Sequence, residues 1–348
     1  MGTSPPLEKT DRPLRVCSYE DRPEAMDGLI LMGESLCRVD RQVSLHLTVP
    51  EAPASVRAWA ERRPEVVLCT RRPDGVRGWD VKPWLLLQEL NEGWPAALWL
   101  DADVIVTRPI SGLLKEFPSD SLIVAEEWVQ HEAIPVSHLW GLPEARPVRP
   151  INSCFLRATK AHRQLLTRWL QMTHDPRYRA AQALPFERRP WHLASDQVLL
   201  TALLQSGEFG RLPFANLRLG RHIAQCAGSS SYRPYHRVLD LFRGLPPLIH
   251  CIGRKPWMSR QDQSRIHRFL IDLADDVSPY VLASRRVARD LGMTPKWLDA
   301  HTSLGTLLRG LTAHHPAAAG LPLAILHYFP MRISQIIGYS KTNVGKEF

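Results

Sequence analysis

Hydrophobic and polar positions repeat with two different periods along most of this chain. Leu14–Tyr19 is a short apolar run that ends in polar residues, which predicts a strand. Ala25–Cys37 carries Met26, Leu29, Ile30, Gly33 and Leu36 at helical spacing. Val43–Val49 alternates apolar and polar residues as a strand does, Ala54–Arg62 reads as a helix, and Val66–Cys69 as another strand. Lys82–Asn91 is helical, with Gly93 just past its end as a stop signal. Ala96–Leu100 predicts a buried strand. Strands that alternate with helices imply βαβ units around a largely parallel sheet. Ligands of such sheets bind at the carboxyl ends of the strands.

The pattern continues less regularly. Leu122–Ala125 predicts a strand, and Glu126–Pro150, rich in Trp, His and Pro, predicts a long surface excursion. Asn152–Arg157 returns to the sheet, and Ala161–Thr173 is a helix. Asp175–Pro190 is expected to be an irregular, Arg-rich loop, followed by a helix at Asp196–Gln205. These two loops, 126–150 and 175–190, are expected to shape an acceptor site. Leu248–Ile252 is the last expected strand. Beyond it the pattern turns helical at Ile271–Ala274, Val281–Leu291 and Leu304–Leu311. Leu321–Ile337 is apolar but interrupted by Pro322 and Pro330. The polar, Pro-rich residues 1–13 read as a disordered lead rather than a signal peptide.

Composition narrows the class. The chain has 348 residues, 44% hydrophobic and 23% charged, as expected of a globular protein with a sizeable core. Its net charge of +9 comes mostly from arginine, without the Arg/Lys block of a nucleic-acid-binding tail, so no nucleic-acid partner is expected. No apolar run reaches the length of a transmembrane helix. The six cysteines form no CxxC pair and no zinc-ligand spacing, which suits a reducing, cytoplasmic location.

The strongest local signal is Leu98-Trp-Leu-Asp101-Ala-Asp103-Val-Ile-Val106. Charges beside a buried strand are costly unless paired or bound to a metal. In an extended segment, residues two apart project to the same side, so Asp101 and Asp103 can approach one cation together. Oxygen ligands suit Mn2+ or Mg2+, often shared with substrate phosphates. Taken alone, the pair also fits solvated turn aspartates, or the nucleophile and acid of a dehalogenase-type phosphatase. A convincing downstream GDxxxD for that second class is missing. Later in the chain, Ile249-His250-Cys-Ile-Gly253-Arg-Lys255-Pro-Trp257 follows a strand. His250 offers a nitrogen ligand, Gly253 permits close backbone approach to phosphate, and Lys255 is a point charge for a diphosphate oxygen.

In this order the motifs resemble the family 8 type of GT-A glycosyltransferases, which includes glycogenin and bacterial lipopolysaccharide galactosyltransferases. The resemblance runs over roughly residues 14–260. Gly28-Leu-Ile-Leu-Met-Gly-Glu-Ser-Leu36 is similar to the family's first helix, and Asp101-Ala-Asp103 to its metal motif. Ile151-Asn152-Ser153-Cys-Phe-Leu-Arg157 resembles its FN(S/A)G segment, and Ser195-Asp196-Gln197 its DQ motif. The segment from His250 to Trp257 resembles its HxxGxxKPW ending. Two departures stand out. Lys255 follows His250 by five residues instead of six, so Arg254 is a second candidate for the diphosphate role. Cys154 also replaces the usual Gly.

The resemblance implies an α/β, Rossmann-like GT-A nucleotide-diphospho-sugar transferase domain at 14–270 and a helical C-terminal extension at 271–348. It implies a metal held by Asp101, Asp103 and His250, and a nucleotide-sugar donor of UDP-sugar type, transferred with retention. Lys82, nineteen residues before Asp101, stands where the family carries a donor-contacting basic residue. Asn152, Asp196 and Gln197 would hold the sugar, with Asp196 either a nucleophile or, preferably, a hydroxyl acceptor. Tyr19, just past the first strand, is either a nucleobase platform or a core tyrosine. The acceptor (glycan, lipid-linked or protein) is left open, and so are a phosphatase and a non-catalytic nucleotide-sugar-binding protein. Arg285, Arg286 and Arg289 along one helix, and the apolar stretch Ala324–Ile337, suit either a cap on the catalytic domain or peripheral membrane contact. The cap is the expected reading.

Overall fold

The computed structural model describes residues 14–128, 135–228, 231–259, 263–299 and 301–336, with side chains through 328. The expected lead at 1–13, part of the 126–150 excursion and Ile337 lie outside the described residues. Ten strands are described: β1 Leu14–Tyr19, β2 Val43–Thr48, β3 Val66–Cys69, β4 Ala96–Leu100, β5 Val104–Val106, β6 Leu122–Glu126, β7 Ile151–Thr159, β8 Phe214–Leu217, β9 Ile223–Gln225 and β10 Leu248–His250. The helices of the first part are α1 Met26–Val39, α2 Ala54–Glu61, α3 Val81–Asn91, α4 Ile110–Leu114, α5 Arg163–Thr173, α6 Pro176–Gln182, α7 Asp196–Gln205 and α8 Pro234–Arg243. Five more follow: α9 Arg265–Asp276, α10 Pro279–Leu291, α11 Ser303–Leu311, α12 Pro316–Ala319 and α13 Leu321–Ile336.

Seven strands form the central sheet in the order β3-β2-β1-β4-β7-β6-β8. Six run the same way, and β7 alone opposes them, pairing antiparallel with both β4 and β6. Strand alternation sorts the core into two layers. Val16, Leu45, Leu98 and Leu100 face α1 and α2. Cys17, Ala97, Trp99 and Leu156 face α3, α5 and α7. α1 and α2 pack closely at Gly33, where a Cβ would stand 2.4 Å from the Trp59 ring.

A second, three-stranded sheet has the order β5-β10-β9. Ile105 and Ile249 on its strands pack with Leu31 of α1 and with Tyr280, Val281 and Trp297. The helical part after β10 is thereby joined to the rest of the core. α9 starts at Arg265 and runs across the expected 270/271 boundary. None of the described helices is long and apolar enough to cross a membrane.

Several elements differ from the sequence expectation. The loop expected at 175–190 contains α6, started by Pro176 and capped by Asp175, whose carboxylate accepts from Arg177 N–H at 2.8 Å. α13 is continuous where two prolines suggested interruption. Pro322 lies in its first turn, where no helical N–H partner is lost. The short pieces α4, β8 and β9 carried too few periodic positions to be read.

One buried ionic cluster ties β1, β2 and α3 together. Glu89 is fully buried. It accepts from Arg15 Nε at 2.6 Å and bonds His46 Nδ1. Burial favours the neutral acid, but His46 and Arg15 outweigh it and hold the Glu89 carboxyl below the usual glutamate range. A depressed pKa of this kind contributes stability above the unfolded value and loses it as pH falls below about 4. Glu89→Gln should therefore cost roughly 3 kcal/mol at pH 7. Urea unfolding across pH should show that cost shrinking below about pH 4; a pH-independent cost would contradict the assignment.

Candidate active site

Strand pairing builds the site. Asp101 directly follows β4, and Asp103 directly precedes β5. β5 pairs antiparallel with β10 in a register that sets Val104 opposite His250, and Cys251 N–H donates to Asp103 C=O at 3.0 Å. One ligand atom from each of Asp101, Asp103 and His250 lies within 4.8 Å of the other two. His250 Nε2 stands 3.4 Å from Asp103 Oδ1. Asp103 Oδ1 and His250 Nδ1 are buried and make no hydrogen bond. A buried carboxylate oxygen without a donor is costly unless something else meets it.

Lys255 completes this corner. At Gly253 the backbone takes a φ of +71°, which turns the loop sharply. Lys255 Nζ then pairs with Asp103 and donates to Cys251 C=O. Burial would raise the Asp103 carboxyl, but Lys255 and His250 outweigh it and hold it well below the usual carboxylate range. Arg254 points elsewhere, donating to Asp275 of α9 at 2.7 Å. Trp257 anchors the loop from outside. Its ring meets Gly28 of α1 and stacks edge-on with Trp297, centroids 5.3 Å apart.

Lys82 lies between two carboxylates. Its ammonium is 3.2 Å from Asp101 Oδ1 and 3.6 Å from Asp196 Oδ2, and donates to Ser153 Oγ at 2.7 Å. Ser153 Oγ donates in turn to Asp196 Oδ2 at 3.0 Å. Burial alone would push the Lys82 ammonium down, but Asp101 and Asp196 hold it above its usual range. Trp99 Nε1 donates to Asp101 Oδ1 at 2.6 Å. Burial shifts the Asp196 carboxyl up, opposed first by Lys82.

The antiparallel direction of β7 sets its start beside the end of β4, so Asn152 and Ser153 reach the site. Asn152 Nδ2 and Gln197 Nε2 both donate to Glu127 Oε2, at 2.9 and 3.2 Å. Asn152 Oδ1 accepts from Cys154 N–H. Tyr19 is buried in the apolar layer, with its hydroxyl donating to Asp21.

Asp101, Asp103, His250, Lys255 and Lys82 thus converge with Asp196, Ser153, Asn152 and Gln197. Tyr19 and Arg254 stand apart from the acidic cluster. Sequence reasoning missed Glu127, Ser153 as a linking hydroxyl, and Arg22. Arg22 is held by Glu20 at 2.8 Å, and its charge is also stabilised by Asp103 and Asp101. A carboxylate at the end of β6 and charges just past β1 were the available signals, since both stand at carboxyl strand ends.

No protein-family model matches the chain. No curated protein matches it either. Among solved structures, the bifunctional glycosyltransferase WbbM aligns with a TM-score of 0.51 and 12% identity, over 83% of this chain and 53% of its own. The chain thus spans about half of WbbM's length. Galactosyltransferase LgtC, solved with donor and acceptor sugar analogues, aligns at 16% identity over 81% of this chain and 98% of LgtC, TM-score 0.48. GlyE of Streptococcus pneumoniae TIGR4 aligns at 13% identity over 81% of this chain and 65% of GlyE, TM-score 0.45. The likeness to WbbM gives the architecture: the chain has a GT-A fold.

Removing Lys255 should expose how much the acidic cluster depends on it. Lys255→Met leaves Asp103 buried without its cation, a loss of about 3–5 kcal/mol in chelator-treated protein. Mn2+ should restore part of that stability in a thermal melt. A melt unchanged by the substitution would contradict the pairing.

Proposed function

We propose that this chain is a metal-dependent glycosyltransferase that moves a sugar from a UDP-sugar to an acceptor hydroxyl, with retention at the anomeric carbon. The observation that carries the reading is the Asp101–Asp103–His250 cluster, with an unbonded, buried Asp103 oxygen, at strand ends of a GT-A fold. Two carboxylates and one imidazole fit Mn2+ or Mg2+. When bound there, such an ion supplies a Lewis acid that offsets charge developing on the leaving diphosphate.

The chain's own groups would supply the rest. Lys255 sits on a turning loop and can exchange Asp103 for a diphosphate oxygen, adding fixed positive charge where charge develops. Glu127 occupies the amide N–H groups of Asn152 and Gln197, which orients both side chains for sugar hydroxyls. Asp196 already serves Ser153 and Lys82, and is 2% exposed. That favours a role in orienting Lys82 and the sugar over direct attack on the anomeric carbon. Retention rests on the sequence resemblance to family 8 enzymes. Lys82 is enclosed by carboxylates, so its proposed part is to bridge Asp101 and Asp196 and offset their mutual repulsion.

UDP release from a panel of UDP-hexoses with Mn2+ tests the reading. Asp103→Ala should lower turnover by at least roughly 10–100-fold, the loss typical of disturbing a metal site. Near-normal turnover in that variant, with the fold intact, would sink the assignment.

A further inference from the structure

Two helices of the C-terminal half, α8 and α11, have their polarity reversed, and a third, α9, exposes large apolar side chains along its first half. On α8, Arg237 and Asp240 are buried while Val238, Leu239, Leu241 and Phe242 face outward, Phe242 at 85% exposure. On α11, Arg309 is buried while Leu304, Leu307 and Leu311 face outward, Leu311 at 75%. On α9, Asp276 is buried while Ile266, Phe269 and Leu270 face outward, Ile266 at 76%. An amphipathic helix on a soluble domain ordinarily does the opposite.

The reversal is held by bonds. Asp276 accepts from Thr302 N–H and Thr302 Oγ1, each at 2.7 Å, and from His301 N–H at 3.0 Å. Arg285 and Arg309 stand 3.6 Å from its carboxylate. Asp240 accepts from Tyr232 and from Arg243 Nε at 2.7 Å. Arg237 donates to the backbone C=O of Tyr232 and Ala317. Rolling any of these helices to bury its leucines would strip ionic groups of their partners, at several kcal/mol each.

The helices adjoin. α11 rests on α9 at Gly305, where a Cβ would stand 2.5 Å from the Asp276 side chain. α8 rests on α12 through the Arg237 bond to Ala317, and α13 adds an exposed Leu326. Large apolar side chains exposed on several neighbouring helices mark a docking surface. The charges beside it are basic. Arg243, Arg265, Arg268 and Lys296 are exposed, and no carboxylate of α8, α9 or α11 is; the exposed aspartates among the described residues of this half, Asp290 and Asp299, lie outside those three helices. Apolar side chains flanked by cations match an anionic lipid surface. A two-fold pair of copies would set the same cations against themselves. The face also adjoins the Lys255 loop, because Asp275 of α9 holds Arg254.

We propose that α8, α9 and α11 form a docking face for an anionic bilayer, with Phe242, Ile266, Phe269, Leu307 and Leu311 entering the headgroup region. This inference does not depend on which donor the site takes. Flotation of the full chain with phosphatidylcholine vesicles, with and without phosphatidylglycerol, tests it. The wild type should float with the anionic vesicles, less at high salt, and Phe242→Glu/Leu307→Glu/Leu311→Glu should lower binding at least about tenfold. Arg265→Gln should lower it about fivefold. All the replaced side chains are exposed, so melting curves should match wild type and certify the fold. A chain ending at 336 should float as the full chain does. Four results would overturn the proposal: a wild type that ignores anionic vesicles, a triple variant that floats normally, flotation abolished by removing 337–348, or a wild-type dimer in sedimentation that the same substitutions disperse.

Discussion

The pairing of β5 with β10 is the constraint on which the site depends. Val104 stands opposite His250, so the aspartate before one strand and the histidine closing the other meet across two backbones. Because side chains alternate along a strand, a slip of one residue would turn His250 to the opposite face and dissolve the cluster. The register is fixed by burial of Ile105 and Ile249 against Leu31 of α1 and against Tyr280 and Val281. The helical part after β10 therefore serves the site as well as the core. It backs the short sheet that carries His250, and through Trp297 it steadies the loop that carries Lys255.

Electrostatics explains how such a site persists in a folded chain. Asp103 and Asp196 are almost fully buried, and Asp101 partly so. Each has a lysine: Lys255 beside Asp103, and Lys82 between Asp101 and Asp196. Lys255 helps hold the Asp103 carboxyl below its usual range without filling every acceptor position, since Asp103 Oδ1 stays unbonded. A fully satisfied network would be more stable and would have less to offer a ligand.

Much of this was legible in the sequence. An apolar strand running into Asp101-Ala-Asp103, and a later strand ending at His250, mark carboxyl strand ends. Gly253 and Lys255 follow at loop spacing, so those residues could be named before any coordinates. Glu127 was hidden because its role depends on β7 running against its neighbours, and strand direction leaves no mark on a six-residue pattern. Lys82 could be placed on α3, but its two carboxylate partners come from distant strands and helices. Periodicity revealed the amphipathic helices of the C-terminal half. It could not tell which face turns inward, because that is decided by partners such as Thr302 and Tyr232. On α8 too the buried positions are charged ones, Arg237 and Asp240.

The most direct test of the central claim is calorimetric titration of UDP into the purified chain. It should be run with Mn2+ and with chelator, on wild type and on Asp101→Ala/Asp103→Ala, with GDP as the comparison. The account predicts binding of UDP that requires the metal and disappears in the double variant while the fold, followed by melting, persists. UDP binding that is equally tight in chelator, or that survives the loss of both aspartates, would contradict it.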